Sequence, residues 1–357
     1  MGLSGEKKNK AADYAQANFR LMWKLFSENG RGAALTGMEE VSDDIKTVVR
    51  DTYLLDSCPI YELEFPLVGD PYADFTVGYY VEELPKQIAI VGQHLKPKEE
   101  IIKYYQKKFL EDNERNEVCL EFDVSAGETR LPAYGSVPYG TYEHTVSANK
   151  KRTTDFCTLI HQEDRIEEAL KVYDRSPDYW KPFYQGVSDT REDAPMRIAW
   201  ILDEDCKKAY YDHPEQFRKD LCRVREGMAG DAMIDQMLEV LNLEGSIELQ
   251  MDLFKNGSFS PFIGVCVQTI SFSKEGDHTK SLEGYVELGK KWGIADDRCK
   301  YLSLDTESVT IPYYDEEKGM IHKRITIGMF ALKFKWSHKG LMPMKAYYYL
   351  KSSITKK

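Results

Sequence analysis

The chain has no apolar run near the roughly 18 to 20 residues of a membrane span; the stretch 262–270, among the longest, is only strand-sized. None of its seven histidines stands in a His-x-His or His-x-x-x-His pair, and none of its seven cysteines in Cys-x-x-Cys. That pattern supports neither a zinc site nor a disulfide framework, and scattered free thiols point to a reducing cytoplasm. Positive charge is also short, with 48 Lys and Arg against 59 Asp and Glu and a net charge of −11. Without a basic run the chain is a poor reader of duplex nucleic acid, and any phosphate must meet basic residues gathered locally. No Gly-x-Gly-x-x-Gly or Gly-x-x-x-x-Gly-Lys follows a strand and no Gly-x-Ser-x-Gly occurs, so dinucleotide, P-loop and serine-hydrolase chemistry lack support. No linker or shift in composition divides the 357 residues. They read as one domain, 11–357, behind a polar tail, 1–10, that has no signal-peptide character.

Hydrophobic residues make up 42% of the chain, including 23 tyrosines and 15 phenylalanines, enough to build a large core and to line a pocket for flat apolar ligands. Residues 11–27 predict an amphipathic helix with Tyr14, Leu21, Met22, Leu25 and Phe26 on one stripe. Ser42 caps a second helix, Pro97 opens a third, and 163–173, 206–225, 232–242 and 282–292 predict more. Residues 59–65 and 74–81 predict a hairpin, 117–124 a strand, and 246–254 a strand turning at Asn256-Gly257 into 262–270. Residues 153–160 and 196–202 predict further strands, and 325–336 with 344–352 a closing pair. The Gly/Pro/Tyr-rich stretch 125–142 reads as a functional loop.

Helices thus alternate with antiparallel strand pairs, which disfavours a doubly wound sheet. The strands are two-faced. Tyr61, Leu63 and Phe65 oppose Glu62 and Glu64; Val118, Leu120 and Phe122 oppose Glu117, Cys119 and Glu121; Ile247, Leu249 and Met251 oppose Glu248, Gln250 and Asp252. Leu332, Phe334 and Trp336 oppose Lys333 and Lys335, and Ala346, Tyr348 and Leu350 oppose Lys345, Tyr347, Tyr349 and Lys351. Two α+β architectures satisfy this pattern: an open sheet whose polar face meets water, or a closed barrel with helices outside and polar residues inside.

Glu62-Leu63-Glu64-Phe65 followed by Gly69-Asp70-Pro71-Tyr72-Ala73, with Ala346-Tyr347-Tyr348-Tyr349 in the last strand, resembles the ABBA-type soluble aromatic prenyltransferases. It is most similar to their bacterial and fungal branch acting on phenols, naphthalenes and phenazines, over residues of about 55–352. The resemblance implies a closed antiparallel ten-stranded barrel surrounded by helices. It also implies transfer of a dimethylallyl or geranyl group from an allylic diphosphate to an aromatic small molecule. Such a site needs cations for the leaving group, aromatic walls for the carbocation and an acceptor for the arene proton.

On the matching positions, Glu64 stands where a subgroup holds magnesium, and Glu62 is the candidate proton acceptor. Arg197, Lys333 and Lys345 are the candidate diphosphate ligands, with Lys335 and Lys351 also inward. Tyr347, Asp252 and Tyr349 are the candidate acceptor-binding residues. The chain departs from the family where basic positions fall on Glu117, Pro195, Gly264 and Pro343, and a barrel Tyr on Phe254; Arg197 and Lys345 lie two residues on from two of these. The departures keep open a barrel cyclase or isomerase, a ligand carrier, and a peptide prenyltransferase. A monomer, in the cytoplasm, without nucleic acid or membrane partners, is expected.

Overall fold

The alternating segments become strands that pair in chain order in the computed structural model, which describes residues 5–55, 57–92, 94–124, 133–138, 144–188, 194–225, 230–269, 279–315 and 319–355. Helices α1 (Gly5–Phe26), α2 (Arg31–Thr36) and α3 (Asp43–Asp51) precede β1 (Ile60–Pro66) and β2 (Asp74–Tyr80). Helix α4 (Glu99–Asp112) precedes β3 (Asn116–Phe122) and β4 (Ala133–Pro138); α5 (Val146–Leu159) and α6 (Ile166–Arg175) precede β5 (Lys181–Ser188) and β6 (Met196–Leu202). Then come α7 (Glu204–Asp212), α8 (Pro214–Val224) and α9 (Asp231–Leu241), followed by β7 (Ile247–Leu253) and β8 (Phe259–Gln268). Helix α10 (Thr279–Lys291) leads into β9 (Glu307–Asp315), β10 (Gly319–Ser337), β11 (Gly340–Leu341) and β12 (Lys345–Thr355).

Strands β1 to β8 are consecutive neighbours, β12 lies between β10 and β1, and β10 pairs with β8. Every one of these pairings is antiparallel. The ring β10–β12–β1 through β8 and back to β10 is therefore a closed ten-stranded barrel, as the resemblance implies. Closure depends on the length of β10: Ala331–Trp336 pairs β8, while Gly319–Ile327 carries β9 on the same edge.

One face of each barrel strand is buried under helices and the other points inward, so the period-2 pattern sorts side chains into a core and a chamber. Tyr61, Leu63 and Phe65 of β1 meet α1, where Phe19 touches Tyr61 and Phe75 edge-on at 4.9 and 5.5 Å. Leu332, Phe334, Trp336, Ala346, Tyr348 and Leu350 are likewise buried on the outside. Truncating such a residue costs about 3–5 kcal/mol.

Several local expectations change. Helix α1 starts at Gly5, so residues 5–10 are helix and not a loose tail. Its buried stripe is Ala15, Phe19, Met22 and Phe26, which leaves Leu21 43% exposed. Residues 153–160, expected as a strand, fall mostly in α5, whose cap is Thr145 accepting from the Ala148 N–H at 3.2 Å. The β-branched threonines misled there: Thr154 and Thr158 satisfy their hydroxyls on carbonyls four residues back, which a helix permits. The loop reading of 125–142 is corrected at 133–138, which form barrel strand β4; its remaining residues lie outside those described. Strand β5 was not anticipated, because Pro182 and an irregularity between Pro182 and Gln185 break its alternation. Ser42 does cap α3, accepting from Ile45, and Phe254 and Ser258 close the Asn256-Gly257 turn at 2.8 Å. Among the described residues no helix is long and apolar enough to cross a membrane.

Candidate active site

The inward faces enclose a chamber of about 440 Å³, a size suited to a small organic ligand. Its aromatic lining includes Tyr80, Phe183, Tyr184, Phe330, Tyr347 and Tyr349. Among the described residues its charged lining comprises five carboxyl groups, Glu62, Glu64, Glu117, Glu121 and Glu248, against three cations, Arg197, Lys333 and Lys351. Lys345 and Lys335 stand next to this lining.

Cations gather where β10 and β12 meet. Lys333 and Lys345 are direct cross-strand partners, and Lys335 follows Lys333 on the same face. Like charges placed opposite one another destabilise a sheet unless an anion lies between them. Glu64 is that anion for Lys345: the two form an ion pair, with Asp74 3.8 Å from the same ammonium. Although burial pushes the Glu64 carboxyl up, Lys345 and Lys333 and the Tyr347 hydroxyl hold it down at about 2. Lys333 is only 7% exposed and has no carboxylate within ion-pair distance among the described residues; its ammonium faces the Tyr347 ring at 5.8 Å. Lys335 also lacks a carboxylate partner among them and sits 4.4 Å over the Phe262 ring. Burial, then Lys333 and Arg197, push its ammonium down to about 8.

Arg197 is differently placed. It is bound to Asp252 through two hydrogen bonds of 2.9 and 3.3 Å from Nε and Nη2, so part of its charge is matched within the protein. Arg197→Ala is expected to destabilise the fold by about 3 kcal/mol, because it leaves the Asp252 carboxylate buried and unpaired. Thermal denaturation checks this, and Arg197→Ala/Asp252→Ala should recover most of the loss.

The remaining carboxyls face one another. Burial pushes Glu62 well above its ordinary range, and Glu117, Glu121, Glu64 and Glu248 push it further. Burial also raises Glu121 and Glu248, and takes Glu117 to about 7 despite the Cys119 thiol and nearby Lys351. The shift favours the protonated form of Glu62, which donates a hydrogen bond better than it accepts a proton. Glu248 accepts from the side-chain amides of Gln250 at 2.6 Å and Gln268 at 3.0 Å.

Of the residues named from sequence, Glu62, Glu64, Arg197, Lys333, Tyr347 and Tyr349 line the chamber and Lys345 is tied to Glu64. Asp252 is spent on Arg197. Lys351 pairs with Glu83 at 2.8 Å and packs 4.6 Å over Tyr80. Phe330 lines the chamber although alternation places Met329 and Ala331 there, because the register shifts between those two residues. Sequence reasoning passed over the functional use of Gly78 and Gly264. A Cβ on Gly264 would lie 3.0 Å from Gln250 Oε1 and 3.2 Å from Lys333 Cε, so the missing side chain makes room for Lys333. Among the described residues no three His, Cys, Asp or Glu side chains gather as a metal site, and the Glu64 carboxylate is held by Lys345. The side chains as paired do not fit a resident magnesium ion.

No family model matches the chain, and no curated protein does. Among solved structures it is similar to a 6-dimethylallyltryptophan synthase from Micromonospora olivasterospora, in complex with DMASPP and Trp. That similarity has a TM-score of 0.45 and 10% identity over 80% of each chain. At this distance the likeness says nothing of the residues in the chamber.

Proposed function

We propose that this protein transfers an allylic group, dimethylallyl or geranyl, from its diphosphate to an aromatic small molecule bound in the barrel. The observation that carries the reading is the cross-strand pair Lys333 and Lys345 with Lys335 beside it, of which only Lys345 has a carboxylate partner among the described residues. Three ammoniums gathered in a partly buried corner with one paired carboxylate among them call for a multiply charged anion.

In the reaction the allylic C–O bond breaks and its electron pair leaves with the diphosphate, whose charge Lys333, Lys335 and Lys345 receive. Tyr347, Tyr349 and Phe330 supply ring faces to the carbocation, each worth roughly 0.5–2 kcal/mol. The arene carbon then bonds to the cation, and the arene proton must leave. Glu64 is the acceptor for it, as the carboxylate kept ionised in the chamber. When the diphosphate draws Lys345 away, Glu64 becomes more basic as the proton arrives. Glu62, whose carboxyl is pushed up by burial and by its acidic neighbours, serves better as a hydrogen-bond donor than as the base. Magnesium would reach Glu64 only by displacing Lys345.

A second reading is favoured by the raised carboxyls of Glu62 and Glu117: acid-catalysed cyclisation or isomerisation of a preformed ligand. Calorimetric titration with non-hydrolysable dimethylallyl and geranyl diphosphate analogues, with and without magnesium, separates the two. Micromolar binding that does not need magnesium is the result expected for the transferase; absence of binding in both conditions would leave the cyclase.

A further inference from the structure

We infer that Gly328 fits this chamber to a geranyl rather than a dimethylallyl chain: by letting the Tyr349 ring lie flat on the wall, it leaves room for a second isoprene unit. The inference rests on the proposed transfer in taking this chain to be the donor's; the depth of the chamber stands on its own geometry.

Strand β12 gives the chamber its scale. Beyond Lys345, which faces Lys333 across the ladder to β10, Tyr347, Tyr349 and Lys351 line the chamber in turn. A diphosphate held at the Lys345 end places the first isoprene unit at Tyr347, whose ring lies 5.8 Å from the Lys333 ammonium. Tyr349 stands two residues further, about 7 Å at the rise of a strand. A second isoprene unit adds four bonds, about 5 Å in an extended chain, and brings the tail alongside Tyr349. Phe330 lines the same stretch, with its ring 5.6 Å from that of Tyr347. A dimethylallyl group ends short of this wall and leaves it bare. A third unit would meet Lys351, which is held by Glu83 at 2.8 Å.

The attitude of the Tyr349 ring decides whether the second unit fits. Gly328 is the direct cross-strand partner of Tyr349. A Cβ built on it would come within 2.8 Å of the phenol oxygen and 2.9 Å of Cε1 and Cζ. Without a side chain at this position the ring rests on the β10 backbone; with one it is lifted off the wall, into the space of the tail. On the outer face of a strand such a pairing would fill the core, whereas on the inner face it clears a cavity. Two further glycines act alike: a Cβ on Gly135 would lie 2.5 Å from the Tyr184 ring, and one on Gly78 2.2 Å from Glu117 Oε1. Long side chains are thus laid against the wall, and the ring faces so presented are apolar surface that a hydrocarbon tail removes from water.

The test titrates the intact protein calorimetrically with non-hydrolysable dimethylallyl, geranyl and farnesyl diphosphate analogues, with inorganic diphosphate, and with the neutral alcohols geraniol and prenol. The geranyl analogue should bind at least tenfold more tightly than the dimethylallyl one, because its added carbons leave water for ring faces. The farnesyl analogue should bind no more tightly than the geranyl one. Gly328→Ala should remove at least tenfold of the geranyl affinity and leave the dimethylallyl affinity within about twofold. An equal or tighter dimethylallyl analogue, or a tighter farnesyl one, overturns the inference, and so does a Gly328→Ala protein that keeps the geranyl preference. The ranking in the unmodified protein decides the matter even if the variant does not fold. Binding of inorganic diphosphate without a geranyl preference would remove the chain-length reading and leave the transferase. Tighter binding of geraniol than of prenol, with no diphosphate bound, would uphold the depth of the chamber and remove the transferase.

Discussion

Lys333→Met is expected to weaken binding of a dimethylallyl diphosphate analogue by about 10- to 100-fold, the worth of one charge-assisted contact of roughly 1.5–3 kcal/mol. The same change should raise the thermal stability of the empty protein. Lys333 is a buried cation with no carboxylate partner among the described residues and with Lys345 directly across the sheet, so its charge opposes folding until an anion arrives. A second signature lies in the pH dependence of donor binding. Lys335 titrates at about 8 because it is buried and because Lys333 and Arg197 lie near it. Only its protonated form attracts the diphosphate, so affinity should decline as pH rises above 8. Removing Lys333 lifts one of the repulsions on Lys335 and should move that decline to higher pH. Calorimetry at pH 7, 8 and 9 together with melting curves reads all three effects; undiminished donor affinity in the variant would strip Lys333 of its role.

Glu117→Gln is expected to stabilise the protein at pH 8 and to leave it unchanged at pH 5. A carboxyl whose pKa is higher in the folded state than in the unfolded chain binds a proton that the unfolded chain has already released. Stability therefore falls as pH rises through the interval between the two values. For Glu117 the interval runs from 4.5 to about 7, so above it the loss is about 3 kcal/mol, or a Tm shift of about 5 °C in a chain of this size. Glu62, Glu121 and Glu248 are displaced in the same direction and add to the decline. Glu64 runs the other way: its contribution is complete above 4.5 and is lost as pH falls toward about 2. The unmodified protein should thus be most stable at mildly acid pH. Differential scanning calorimetry of both proteins across pH 4 to 9 checks this, and an equal gain at pH 5 and pH 8 would refute the buried-charge account.

Both predictions concern residues whose inward position was legible beforehand, and the reason is the period of the strand. Once Phe334 and Trp336 are assigned to the core, Lys333 and Lys335 must face the other way, and the same logic turns Glu62, Glu64 and Glu117 inward. Alternation fails where the backbone departs from it. The shift between Met329 and Ala331 brings Phe330 into the chamber, and Pro182 with its irregularity conceals β5. Threonine composition misleads at 153–160, since the preference of β-branched residues for strands is weaker than the cap and packing that form α5.

The linear chain by itself determined which residues form the core and which share the opposite face of each strand, because hydrophobic periodicity of two is a local property carried by each strand alone. It also determined that any phosphate must be met by a few local cations, since the whole is acidic. Only the tertiary structure decided that the sheet closes, because closure is a pairing between β8 and the far half of β10, 63 to 73 residues apart. Only it decided which charges cancel. Lys345 is matched by Glu64 from nearly three hundred residues away, and Arg197 by Asp252 from a neighbouring strand, while Lys333 has no carboxylate at ion-pair distance among the described residues. An ion pair depends on distances across the barrel and on the loss of water around it, and neither is written in the spacing of residues along one strand.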